Sequence, residues 1–83
     1  MNEAEANDAK LKQFLLDTLM MEEPSYRDEN GPGQIPTWDS LATVSLAVGV
    51  QERFGQHMTP EDVAEIRTIG DIKAYLRHKG VPI

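Results

Sequence analysis

Apolar residues recur three and four positions apart over most of this chain, and they nowhere alternate long enough to argue for a strand. Leu11, Phe14, Leu15, Thr18 and Leu19 keep that spacing, with Lys10, Lys12, Gln13 and Asp17 turned the other way. The pattern predicts an amphipathic helix over residues 3–20, uninterrupted by proline or glycine until Pro24. A second helix is predicted over 40–54, with Gly55 as its stop. Leu41, Val44, Ala47 and Val48 fall on one side of it, and Leu46, Val50 and Phe54 on another. A helix with so little polar surface is expected to be packed on several sides, at the centre of the fold.

Shorter signals follow. Thr59-Pro60-Glu61-Asp62 combines a capping residue, a proline suited to the first helical position and two acids at the positive end of the dipole. It opens a short helix over 60–66 whose buried side is Val63 and Ile66. Thr68 caps a last helix over 69–79, with Ile69, Ile72 and Leu76 inward and Gly80 and Pro82 as terminators. The connection between the first two helices, MEEPSYRDENGPGQIPT, is long for a compact domain, where about 4–6 residues is usual. Ile35, and after it Tyr26, are the side chains expected to tie it to the core. The expected architecture is a single all-α domain over residues 1–83: a small four-helix bundle with three main helices, one short helix and a long first loop.

Composition narrows the chemistry. A chain of 83 residues is near the lower size for a self-sufficient core, and its 40% hydrophobic content suffices for one. The absence of cysteine excludes disulfides, thiolate metal sites and thiol catalysis, and fits a reducing cytoplasm. No apolar run approaches the roughly 20 residues of a membrane span, and the acidic start has no signal-peptide pattern, so the expected location is cytoplasmic, with no membrane partner. The net charge of −6 is concentrated in residues 1–31, where eight acids face three bases. The one basic cluster, Lys73, Arg77, His78 and Lys79, reads as cation placement toward a helix C-terminus, and nucleic acid is not an expected partner. His57 and His78 have no ligand-spaced companions, so no metal site is expected; the pairs Glu22-Glu23 and Asp28-Glu29 read as solvated charges. No nucleophile–base pair can be assembled, and no catalytic residue is assigned.

One short motif remains. Asp39-Ser40-Leu41 stands where the second helix begins. Its plainest reading is a helix cap, contributing about 1 kcal/mol. With Asp39 as cap, Ser40 takes the first helical position and its hydroxyl projects from the helix end.

In context the motif says more. Asp39-Ser40-Leu41 is followed by Val44, Leu46, Glu52-x-Phe54, Ile66-x-Thr68-Ile69 and Tyr75-Leu76. In this order and spacing the chain resembles the acyl carrier proteins, the phosphopantetheine-attachment domains. The resemblance implies the acyl-carrier type of four-helix bundle, with a 4'-phosphopantetheine arm, drawn from coenzyme A, joined covalently to Ser40, and Asp39 as the cap beside it. It implies a monomeric carrier without catalysis of its own. Its partners would be a phosphopantetheinyl transferase and acyl-loading and acyl-processing enzymes. Trp38, Leu41, Ala42, Val44, Ser45 and Glu52 would form the partner face. Thr43 and Val44 would border the acyl path, although for Val44, Leu46 and Val48 plain core is the stronger reading.

The second helix departs from the family in having Ala42, Ser45, Gln51 and Arg53 where acids are usual, and only Glu52 remains. Trp38 precedes Asp39 where fatty-acid carriers have a small residue. Trp38-Asp39-Ser40-Leu41 is more similar to discrete carriers of polyketide, secondary-metabolite or other specialised acyl pathways, and both departures point away from a housekeeping role in fatty-acid synthesis. An aminoacyl or peptidyl carrier, and a helical interaction module that is never modified, remain as alternatives.

Overall fold

The computed structural model describes residues 2–83 and is all-helical, with no strand among the described residues. Four α-helices, α1 (Glu3–Leu19), α2 (Ser40–Phe54), α3 (Pro60–Glu65) and α4 (Ile69–His78), are joined by a long first loop holding a single 3₁₀ turn at Glu23–Ser25.

The ends of the helices follow from local chemistry. Asn2 caps α1 through its side chain, which accepts from the Glu5 N–H. The helix stops one residue before the expected end because Met20 turns to a left-handed conformation (φ 52°). Gly55, also left-handed at φ 70°, closes α2 by donating to the Gln51 carbonyl. Thr59 with Asp62, and Thr68 with Asp71, form reciprocal capping boxes at the starts of α3 and α4. Ile66 is extended, so α3 ends at Glu65 rather than at 66.

The core is built from one stripe of each main helix: Leu11, Phe14, Leu15 and Leu19 of α1, Leu46 and Val50 of α2, and Ile69, Ile72 and Leu76 of α4. Helix α3 contributes no buried residue. The crossing of α1 and α2 is close at Gly49, where a Cβ would lie 2.0 Å from the Phe14 ring. Between the same two helices, Arg53 lies over the Phe14 ring and Lys10 over the Phe54 ring, at 4.3 and 4.8 Å.

Helix α2 is not enclosed on several sides. Leu46, Gly49 and Val50 are buried, but Leu41, Val44 and Val48 are 79, 57 and 52% exposed. At 100° per residue, only one side of α2 faces α1 and the core, and α3 is too short and too loosely packed to cover the rest.

The long loop is fastened at several points. Ile35 and Trp38 are buried in the core. The carbonyls of Asp28 and Asn30 accept from the N–H groups of Gly70 and Ile69, so the loop satisfies two donors at the start of α4. Gly31 lies so near Arg67 that a Cβ would meet its carbonyl oxygen at 1.9 Å. Lys73 belongs to this fastening and is not a cation spent on a helix dipole. Its ammonium bridges Asp8 of α1 at 3.1 Å and Asp28 of the loop at 2.7 Å, and lies 4.9 Å from the Tyr26 ring. Tyr26 in turn donates to the Asp8 carboxylate at 2.6 Å. Burial pushes the Asp8 carboxyl up, but the Tyr26 hydroxyl and the Lys73 ammonium outweigh it and hold Asp8 below its ordinary value. A depressed carboxyl stabilises the fold above its unfolded pKa and loses that contribution as pH falls through the folded one.

Two substitutions test this anchoring. Ile35→Ala removes a buried aliphatic side chain and should lower unfolding stability by about 2–4 kcal/mol, read from the denaturant midpoint. Gly31→Ala should cost about 1–3 kcal/mol, because the added methyl meets backbone that cannot yield without undocking the loop. Gly33→Ala is the control: nothing lies within 4 Å of its Cβ position, and its midpoint should stay close to that of the unaltered protein.

Candidate functional site

The site forms where the long loop ends and α2 begins. Asp39 is extended and caps the helix, its carboxylate accepting from the Ala42 N–H at 2.8 Å. Ser40 is therefore the first helical residue, and it is exposed.

What fixes this corner is the residue before it. Trp38 is 2% exposed, and its indole N–H donates to the Thr43 hydroxyl at 2.9 Å. The Thr43 hydroxyl passes the bond on to the Asp39 carbonyl at 3.1 Å. Side chain and backbone are thus locked together around the first turn of α2. On the loop side, Thr37 donates its hydroxyl to the Leu19 carbonyl at the end of α1.

Trp38 consequently does not serve as an exposed docking anchor. Its large ring fills the core, and its one polar atom is already bonded. Ala42 is also removed from an open partner face: it is half-buried and packed against the core. The remaining expected residues, Leu41, Val44, Ser45 and Glu52, are exposed along the outer side of α2. Thr43, expected beside the acyl path, instead directs its hydroxyl to Trp38 and Asp39. The sequence carried no sign of this, because a tryptophan and a threonine five positions apart follow no helical pairing rule.

Below Ser40, along the same side of α2, runs a cavity of about 490 Å³. Val44, Ala47 and Val48 form one wall; Met58, Pro60 and Val63 form the other. Its polar residues are Gln51 and His57, joined to each other by a bond of 3.2 Å between Gln51 Oε1 and His57 Nδ1. The Tyr75 hydroxyl donates to the His57 carbonyl at 2.6 Å and so ties this stretch of chain to α4. A smaller cavity of about 370 Å³ lies between α3 and α4 beside Asp62, Glu65, Asp71, Tyr75 and His78. Asp62 and Asp71 there are already committed to their capping boxes. Among the described residues no cluster of three or more His, Cys, Asp or Glu side chains could hold a metal ion. Among the described residues no helix is long and apolar enough to cross a membrane.

Chemically, the corner suits a phosphodiester on a serine. The first-turn N–H groups of a 15-residue helix are directed outward, and the positive end of its dipole favours an anion there. Asp39 takes up the Ala42 N–H. A phosphate on Ser40 would lie at the remaining, solvent-facing side of the same turn.

Comparison with known proteins bears on this segment. A family profile described as a phosphopantetheine attachment site matches residues 38–76, from Trp38 to Leu76. Over 39 residues the chain is 44% identical to an acyl carrier protein of Rhodococcus erythropolis, covering 47% of this chain and 43% of that one. It is 41% identical, also over 39 residues, to a meromycolate extension acyl carrier protein of Mycolicibacterium aurum, covering 47% of this chain and 40% of that one. The corresponding protein of Mycobacterium leprae is 38% identical over the same length, with 34% of it covered. The matched stretch spans less than half the length of each of these relatives. The matched segment runs from the brace that fixes Ser40 to the last core residue of α4, and over this stretch, set in an all-helical bundle, the chain is similar to acyl carrier proteins at a phosphopantetheine attachment site.

Proposed function

We propose that Ser40 is the attachment point of the phosphopantetheine arm and that the protein is a non-catalytic carrier, presenting acyl intermediates to partner enzymes. The observation that carries this reading is the exposed Ser40 hydroxyl at the first position of α2, held there by the Trp38–Thr43–Asp39 bonds. Ser40 has no base beside it and needs none, since a separate transferase supplies the catalysis. In the transfer the Ser40 oxygen–phosphorus bond forms and the pyrophosphate bond of coenzyme A breaks. Adenosine bisphosphate leaves, and the serine proton passes to the transferase or to solvent. Once bound, the arm supplies the thiol on which acyl groups ride as thioesters. The chain's own part is to hold Ser40 exposed and to offer the apolar cavity beside it.

The relatives' names support acyl chains of fatty-acid type as cargo. The surface of α2 supports specialised partners. Its outer side is apolar at Leu41, Val44 and Val48, with Glu52 the one acid of the helix. Partners that read this surface grip apolar side chains, with Leu41 the most exposed of those on α2.

Incubation with coenzyme A and a broad-specificity phosphopantetheinyl transferase should add one phosphopantetheine per chain in the intact mass, and Ser40→Ala should abolish the gain. No gain with an active transferase, or one that persists in the alanine variant, would sink the reading.

Partner choice is tested separately. Holo-protein should be a slow substrate for a general fatty-acid ketosynthase with a basic docking surface, and Ser45→Glu should speed it. An exposed ion pair contributes at most about 1 kcal/mol, so the gain should not exceed about fivefold. It should shrink as salt rises, since screening acts over about 10 Å at 0.1 M ionic strength. Rates that already match a housekeeping carrier without the substitution would rule out specialised partners.

A further inference from the structure

The loop fastened to α4 carries a chemical weak point of its own. Asn30 is followed by Gly31, and glycine has no side chain to shield its backbone nitrogen. In a flexible chain that nitrogen attacks the carbonyl carbon of the asparagine side chain. The bond from the Gly31 nitrogen to Asn30 Cγ forms, the Cγ–Nδ2 bond breaks, and ammonia leaves with the proton of the Gly31 N–H. Water then opens the succinimide ring at one carbonyl or the other, leaving aspartate or isoaspartate at position 30. The reaction needs only water. The close approach to Arg67, which excludes a Cβ at Gly31, keeps the glycine in place.

While the loop is docked, each reacting group is held elsewhere. The Gly31 N–H donates to Gln34 Oε1 at 2.9 Å, which favours the protonated nitrogen over the anion that attacks. The Asn30 side-chain amide donates to the Ser25 carbonyl at 3.0 Å. The Asn30 backbone carbonyl accepts from Ile69 of α4 at 2.9 Å, and the Gly31 carbonyl accepts from Gln34 and Ile35. Gly31 itself is buried. Ring closure turns the Asn30 side chain back onto the peptide nitrogen, so the Ser25 and Gln34 bonds must both be released first.

We infer that Asn30–Gly31 is a spontaneous modification site gated by loop docking: the pair deamidates only in copies whose loop has come off α4, and the product cannot dock again in the same way. Opening of this kind is fast beside the chemistry, so the rate follows the fraction of chains that are open. Isoaspartate adds a methylene to the main chain and puts a carboxylate where the carbonyl accepting from Ile69 had been. Aspartate keeps the chain path but sets a carboxylate against the Ser25 carbonyl in place of a donor. By either route an opening becomes permanent, and the modified fraction records how often the loop has undocked. None of this depends on what Ser40 carries.

The test keeps the full chain in mildly alkaline buffer, folded or unfolded in guanidinium chloride, and follows deamidation by anion exchange, intact mass and peptide mapping. Asn2 and Asn7 precede Glu3 and Asp8 rather than glycine and serve as internal references. Position 30 should react at least about tenfold faster in the unfolded chain than in the folded one, since more than one bond must open. Gln34→Ala, at an exposed residue, should raise the folded rate about fivefold, the worth of one hydrogen bond. Lys73→Gln releases Asp28 of the loop without touching residues 30 and 31, and should raise the folded rate as well. The purified deamidated form should melt lower by about 4 °C or more. Equal rates at position 30 in the folded and unfolded chain, a folded rate that either substitution leaves unchanged, or a deamidated form as stable as the parent overturns the inference.

Discussion

The indole of Trp38 must be buried and its N–H must be bonded, and the functional corner depends on both. A ring of that size inside an 83-residue chain is a large part of the core, and an unpaired N–H there would be costly. Thr43 meets the requirement only if α2 starts at Ser40, which brings the threonine hydroxyl back over the preceding turn to reach both the indole and the Asp39 carbonyl. The core thereby sets where the helix begins, and the helix start sets where Ser40 is presented. Packing and presentation are here one constraint.

The long loop solves a related problem. About 17 residues without regular structure would carry many unpaired backbone groups and a large conformational entropy. The loop is instead sealed against α4 by the Asp28 and Asn30 carbonyls, plugged by Ile35, and clamped by Lys73 between Asp8 and Asp28. The clamp joins α1, the loop and α4, and Lys73 is mostly withdrawn from water, so its charge is compensated by two carboxylates and a tyrosine ring. With one end of the loop fixed to α4 and the other to Trp38, the approach to Ser40 is rigid on the loop side.

Rigidity on that side contrasts with openness on the other. The outer side of α2 leaves Leu41, Val44 and Val48 exposed, and α3 packs against it with no buried residue. A protein whose task was only to be stable would gain by covering these side chains. Here Val44 and Val48 line the apolar cavity between α2 and α3, so the unpacked side of α2 is also where an apolar ligand would find shelter.

The sequence by itself determined the helices and much of the site. Periodicity, capping residues and glycine stops act over a few positions, so they read directly as α1, α2, α3 and α4, as Asp39 capping Ser40, and as Ile35 anchoring the loop. What the sequence could not determine was which side of α2 would be covered. Its apolar residues run around the helix, and burial on one side depends on α1 crossing at Gly49 and on α3 being too short to close the other. Trp38 follows the same logic: an aromatic residue beside a candidate attachment serine suits an interface as well as a core, and only its burial and its bond to Thr43 decide. The Lys73 clamp joins residues 45 and 65 positions apart, and the Gln51–His57 pair spans a helix break. No local pattern links such partners, because their meeting is set by how the helices stack.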